Sequence, residues 1–146
     1  MGSGVDHPPE PGGRPAVLVS NRQDLPVDEA ALVTLAVATL AAEGVTRELS
    51  VSFVDEPEIE DLHARYMDEP GATDVLSFGQ DDDDLLGDVV ICPAVAARNN
   101  PDDPAGELRL LLVHGILHLL GHDHEAPDER AAMWAKQERY SGVAAP

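Results

Sequence analysis

The sequence predicts an α+β fold: a single domain in which a mixed four-stranded sheet packs with helices, one of them a buried central helix. Three observations predict it. Apolar residues repeat every second position in short Val/Ile/Leu runs and with helical spacing in longer Ala/Leu runs, in the order β-α-β-α-β-β-α-α-α. The segment "AGELRLLLVHGILHLLG" (105–121) is apolar on nearly every face, which suits a helix enclosed by the rest of the fold. A chain of 146 residues is also long enough to bury a core without help from a metal or a disulfide.

Taken in order, residues 1–14, "MGSGVDHPPEPGGR", lack an apolar period and read as a disordered leader in which His7 is idle; the domain then spans 15–146. "AVLVS" (16–20) is a strand. Asp28 opens an Ala/Leu/Val helix that stops near Gly44. "LSVSFV" (49–54) alternates as a strand, and "DEPEIEDLHARYM" follows as a helix with Asp55 as cap and Pro57 in its first turn. "TDVLSF" (73–78) and "LGDVVICP" (86–93) are strands flanking "GQDDDD", an acidic hairpin tip without the spaced ligands of a calcium loop. "PAVAARNNPDDP" supplies a short helix and a loop. After the central helix, "APDERAAMWAKQERY" closes the domain as an amphipathic helix.

Composition bounds the function. The single cysteine, Cys92, excludes an internal disulfide and reads as a small buried hydrophobe. No apolar run reaches the length of a membrane span and no signal-peptide pattern opens the chain, so a cytoplasmic protein without a membrane role is expected. Nine Lys+Arg against 28 Asp+Glu give a net charge of −19, which repels nucleic acids and anionic membranes at long range and reads as a solubility or salt adaptation of the surface.

The chemistry is concentrated in "HGILHLLGHDHE" (114–125), which holds four of the six histidines. On a helix, His114 and His118 are one turn apart on one face. Gly121 lets the chain leave the helix and turn back, so that His124 completes a third corner while His122 stays an exposed neighbour. This is the spacing of a tripodal metal site, and three imidazoles suit zinc best, although nickel and copper also accept them. Three protein ligands leave a position for water, which makes the site catalytic rather than structural. Asp123 is placed to orient a ligand imidazole, and Glu125 reads equally as the N-terminal charge of the last helix. In zinc proteases of this spacing glutamate follows the first histidine as general base; here that position is Gly115, which weakens a peptidase reading.

Three segments together, "HGILHLLGHDHE", "GATDVLSF" (71–78) and "LLGDVVIC" (85–92), resemble in order and spacing the signature of the YbeY family of metal-dependent endoribonucleases, and "MWAKQERY" resembles its closing helix. The resemblance covers roughly residues 16–141. It implies one zinc ion on His114, His118 and His124, single-stranded RNA as substrate, and a role in ribosomal RNA maturation (the 16S 3′ end) and ribosome quality control, with the small ribosomal subunit or ribosome-associated proteins as partners. A monomer is expected.

The sequence also departs from the family. Many members carry an arginine facing the metal where this chain has Met67; Arg65 is the nearest substitute, although two residues along a helix turns it about 160° away. Ala72 and Gly79 replace prolines. Asp74, Ser77 and Asp88 either hold turns and strands or face the cleft. Arg65, Arg98 and Arg109 are the candidates to gather beside the metal and meet phosphates. Two other functions stay open on the residues alone: a zinc amide hydrolase, and a non-catalytic ribosome-assembly factor.

Overall fold

The computed structural model describes residues 16–67, 71, 73–80, 83–122 and 125–143. The leader at 1–14 therefore lies outside the described residues, as do Asp123, His124 and part of the acidic tip. The element order is the one the sequence predicts: β1 (Val17–Arg22), α1 (Glu29–Ala42), β2 (Glu48–Val54), α2 (Glu56–Met67), β3 (Val75–Gly79), β4 (Leu85–Ile91), α3 (Pro93–Asn99), α4 (Pro104–Leu119) and α5 (Pro127–Ser141). One boundary moves. The fourth strand ends at Ile91 rather than at residue 93, because Pro93 lacks a ladder donor and instead occupies the first turn of α3.

The strands form one sheet in the order β1-β2-β4-β3. The pairs β1–β2 and β2–β4 are parallel, whereas β3 and β4 form an antiparallel hairpin, so the sheet is mixed and β3 is an edge. Side chains alternate between two layers. On one face Leu49, Val51, Phe53, Val89 and Ile91 pack with Leu32, Ala36 and Leu40 of α1 and with Leu108, Leu111, Leu112 and Ile116 of α4. On the other, Val54, Leu76 and Val90 pack with Ile59 of α2 and Val95 of α3. Cys92 is fully buried there, and burial pushes its thiol pKa up, which leaves it an inert packing group. The last helix lies on α4 through Met133, Val113 and Leu117. Among the described residues no helix is long and apolar enough to cross a membrane.

The central helix is built by local signals at both ends. Asp103 caps it by accepting from the Gly106 amide at 3.0 Å, and Pro104 takes the first turn. At the other end the Gly121 amide donates to the His118 carbonyl at 3.1 Å and the His122 amide to that of Leu117 at 3.0 Å. Gly121 sits at φ +92°. This double bond with a left-handed glycine is a Schellman stop, the chain reversal that Gly121 predicts.

Candidate metal centre and cleft

His114 and His118 stand on the same side of α4, one turn apart. Their rings are 6.4 Å apart and nearly parallel, at 10°. The two differ in setting. His118 is exposed, whereas His114 is half-buried with its ring 6.1 Å from Trp134. Nδ1 of His114 lies 2.8 Å from Oε1 of Gln137, a residue of α5 only 4% exposed. An amide oxygen only accepts, so Nδ1 carries the hydrogen and Nε2 keeps the lone pair that a metal takes.

These histidines open onto a cleft of about 240 Å³ along the β3 edge. Its walls are His63 and Met67 from α2, Thr73, Val75 and Ser77 from the β3 side, and His114, Gly115 and His118 from α4. Met67 thus faces the histidines, and so does Ser77. His63 is a third imidazole that the sequence reading passed over. Its Nδ1 donates to the Gly71 carbonyl at 3.0 Å. Four residues before Met67 on the same helix is the signal that could have found it. Among the described residues no three His, Cys, Asp or Glu side chains lie close enough together to hold one ion. His124, the predicted third ligand, lies outside them.

Gly115 has a structural cause. A Cβ built there would stand 2.8 Å from Cγ1 and 3.1 Å from Cγ2 of the fully buried Val89. The glycine lets α4 sit directly on β4, which brings both histidines to the β3 edge. Gly115→Ala is accordingly expected to lower stability by about 1–2 kcal/mol, overpacking outweighing the helix-propensity gain. Denaturant titration checks this, and in a Val89→Ala background the same substitution should cost little, because the clashing methyls are gone. Equal losses with and without Val89→Ala would refute the contact.

Several sequence expectations are corrected by the geometry. His122 is not an exposed neighbour: its side chain is 26% exposed, with Nε2 3.0 Å from Oε1 of Glu43. Nor do Arg65, Arg98 and Arg109 gather at the histidines. Arg65 pairs with Asp61 at 3.2 Å and is not among the described residues lining the cleft. Arg98 pairs with Glu56, and Nε of Arg109 donates to the Ser141 carbonyl at 3.3 Å. Each is taken by an acceptor on its own or a neighbouring helix. Asp74 accepts from Asn99 at 3.2 Å, while Asp88 faces the layer away from α4. Glu125 precedes α5, whose first-turn acids are Asp128 and Glu129.

Fold and site define a class: a single α+β domain whose central helix presents paired imidazoles in a cleft at a sheet edge. The chain belongs to the endoribonuclease YbeY family, whose pattern matches residues 19–143. It is 49% identical to the Endoribonuclease YbeY of Frankia alni, over 85% of this chain and 80% of that one. With the protein of the same name from Streptomyces coelicolor it shares 44% identity over 82% and 84% of the two chains. The solution structure of TM1509 from Thermotoga maritima has the same fold, with a TM-score of 0.60 and 26% identity over 86% of each chain.

Proposed function

We propose that this chain is a zinc-dependent endoribonuclease acting on single-stranded RNA in the cytoplasm, in the maturation and quality control of ribosomal RNA. The observation that carries the reading is the pair of parallel imidazoles, His114 locked by Gln137, inside a solvent-open cleft of a family member. His114, His118 and His124 would hold the metal, with Asp123 orienting one of the imidazoles. Such a donor set fits zinc, which when bound supplies a Lewis acid that lowers the pKa of water to about 7.

The chain's own groups do the rest. His63, with Nδ1–H given to the Gly71 carbonyl, keeps Nε2 to take or give a proton at the scissile phosphate. Hydroxyls of Ser77 and Thr73 bind and orient the strand from the β3 side. Met67 contributes no charge, so His63 is the described wall residue that meets the phosphate. Gly115 favours this reading over an amide hydrolase: packed against Val89, it leaves no room for a glutamate base. A digest of RNA against casein, with and without chelator, tests the function. RNA should be cut and chelator should stop it, whereas cleavage of casein alone, or full zinc occupancy without any turnover, would overturn the proposal.

Affinity for naked RNA is expected to be weak. Of the nine basic residues, Arg22, Arg65, Arg98 and Lys136 are held in ion pairs. Few phosphate contacts remain, and at about −0.7 per contact the plot of log affinity against log salt should be no steeper than about −2 to −3. A partner on the small ribosomal subunit would then deliver the strand. Fluorescence titration of a single-stranded oligonucleotide at several salt concentrations measures the slope, and tight binding with a steep slope would contradict it.

A further inference from the structure

A second concavity lies on the other flank of α2, and the nuclease reading does not use it. It encloses about 480 Å³ on the sheet face away from α4. Arg22, Ser52, Tyr66, Phe78, Gln80 and Asp88 are among its walls. We propose that it is a guanine-selective base pocket, seating one nucleotide of the RNA strand whose scissile phosphate lies in the histidine cleft. This inference rests on the RNA reading above.

The sheet face changes composition at this groove. Val54, Leu76 and Val90 are sealed with α2 and α3, yet Ser50, Ser52 and Asp88 on the same layer are polar and only half-buried. The sheet is left open there. Beside the opening stands Tyr66, 63% exposed, with its ring 5.5 Å from that of Phe78 in an edge-to-face pair. An exposed aromatic at the mouth of a polar-floored groove is the platform on which single-stranded bases stack.

Charge points the same way. The Arg22 guanidinium is committed to Glu58, with Nη2–Oε2 at 2.6 Å and Nε at 3.2 Å from each carboxylate oxygen. With Glu58 and Asp88 set against one guanidinium, the groove repels phosphate. A neutral base carrying N–H donors is the part of RNA that it attracts. The Asp88 carboxylate is oriented by Nε2 of Gln80 at 3.0 Å. Its oxygens accept, which matches the adjacent N1–H and N2–H of guanine, and the Ser52 hydroxyl supplies a donor for O6. Uracil (N3–H), cytosine (N4–H) and adenine (N6–H) each offer the carboxylate one donor group with an acceptor beside it, so only guanine presents two adjacent donors. For a chain of net charge −19, recognition through a base edge replaces the phosphate contacts that it lacks.

The groove is also placed next to the cleft. Tyr66 of the groove and Met67 of the cleft are consecutive on α2, as are Phe78 and Ser77 on β3. The two concavities therefore flank one helix turn and one strand, about 10–12 Å of protein that a short run of nucleotides crosses.

The test is a titration of the isotope-labelled full chain with GMP, AMP, CMP and UMP, followed through the amide signals of Phe78, Gln80 and Asp88. GMP should shift these signals and bind roughly 5- to 150-fold more tightly than the others. Asp88→Asn should erase that preference. Tyr66→Ala, at an exposed position that does not threaten folding, should weaken GMP by a comparable factor. On an oligonucleotide with a single guanine, wild-type cleavage should fall at a fixed short distance from it, and Asp88→Asn should scatter the cuts. Equal affinity for the four nucleotides, silence at these amides, or an unchanged GMP preference in Asp88→Asn would overturn the pocket. RNA cleavage without base preference would remove the pocket and leave the nuclease standing. GMP bound at the groove with no cleavage of any RNA would support the pocket and remove the nuclease.

Discussion

Alanine at His118 should abolish zinc binding and RNA cleavage while leaving the metal-free fold nearly as stable as the parent. His118 is exposed at the end of α4, so truncation removes little packing and takes away one ligand of the proposed tripod. Loss of an outer hydrogen-bond partner already costs about 10–100-fold in metal affinity, and loss of a ligand should cost more. His114→Ala should lose the metal too, but at a structural cost: Oε1 of the buried Gln137 loses its donor, worth about 1–3 kcal/mol. Gln137→Leu separates the two effects, weakening zinc by about 10–100-fold with every ligand retained. His124→Ala should release zinc and His122→Ala should keep it. Calorimetric zinc titration and metal analysis read these outcomes. Saturating zinc should also raise the melting temperature of a chain that is folded without it. Full zinc stoichiometry in His118→Ala would end the assignment.

What was legible in the sequence was what short-range physics writes into it. Hydrophobic period placed the elements and Asp28, Asp55 and Gly121 marked helix ends, because Asp28 and Asp55 each accept a backbone amide three residues on and Gly121 stops α4 through bonds within one turn. Contacts distant in the chain were not legible. Arg98 meets Glu56 from 42 residues away, so no local pattern could say that its charge is spent on α2 rather than offered to a phosphate. The layer on which Asp88 falls depends on the antiparallel hairpin and on the bulge that pairs Glu48 with Leu85 but Leu49 with Gly87. Gly115 read as a missing base, and only the approach of Val89 shows it to be a packing requirement. Gln137 carried a faint signal, a polar residue in step with Met133 and Ser141 on the buried stripe of α5.

Glu43 is the clearest example of such a hidden contact, and removing its charge is expected to be costly. At the end of α1 its side chain, 8% exposed, accepts from the Tyr140 hydroxyl at 2.5 Å, from Lys136 Nζ at 2.9 and 3.1 Å, and lies 3.0 Å from His122 Nε2. One carboxylate thus joins α1, the turn after α4, and α5. Burial alone would raise its pKa, but the hydrogen bonds from Tyr140, Lys136 and His122 and the Lys136 charge outweigh burial and bring it down to about 2, from an ordinary 4.5. A carboxylate depressed in the folded state adds stability that is complete above its unfolded pKa and lost as pH falls towards the folded one. The window is therefore between about pH 4.5 and pH 2, and the contribution at neutral pH is on the order of 3 kcal/mol. Glu43→Gln keeps the shape and removes the charge, leaving Lys136 without its counter-ion. It should lower stability at pH 7 by about 2–3 kcal/mol, several degrees in melting temperature. The gap between parent and variant should narrow as the pH falls below about 4.5 and close only as it passes about 2, where the folded parent also takes up the proton. Urea denaturation of both chains across this range measures the gap. A gap that stays constant with pH would mean that Glu43 acts by packing and not by its charge.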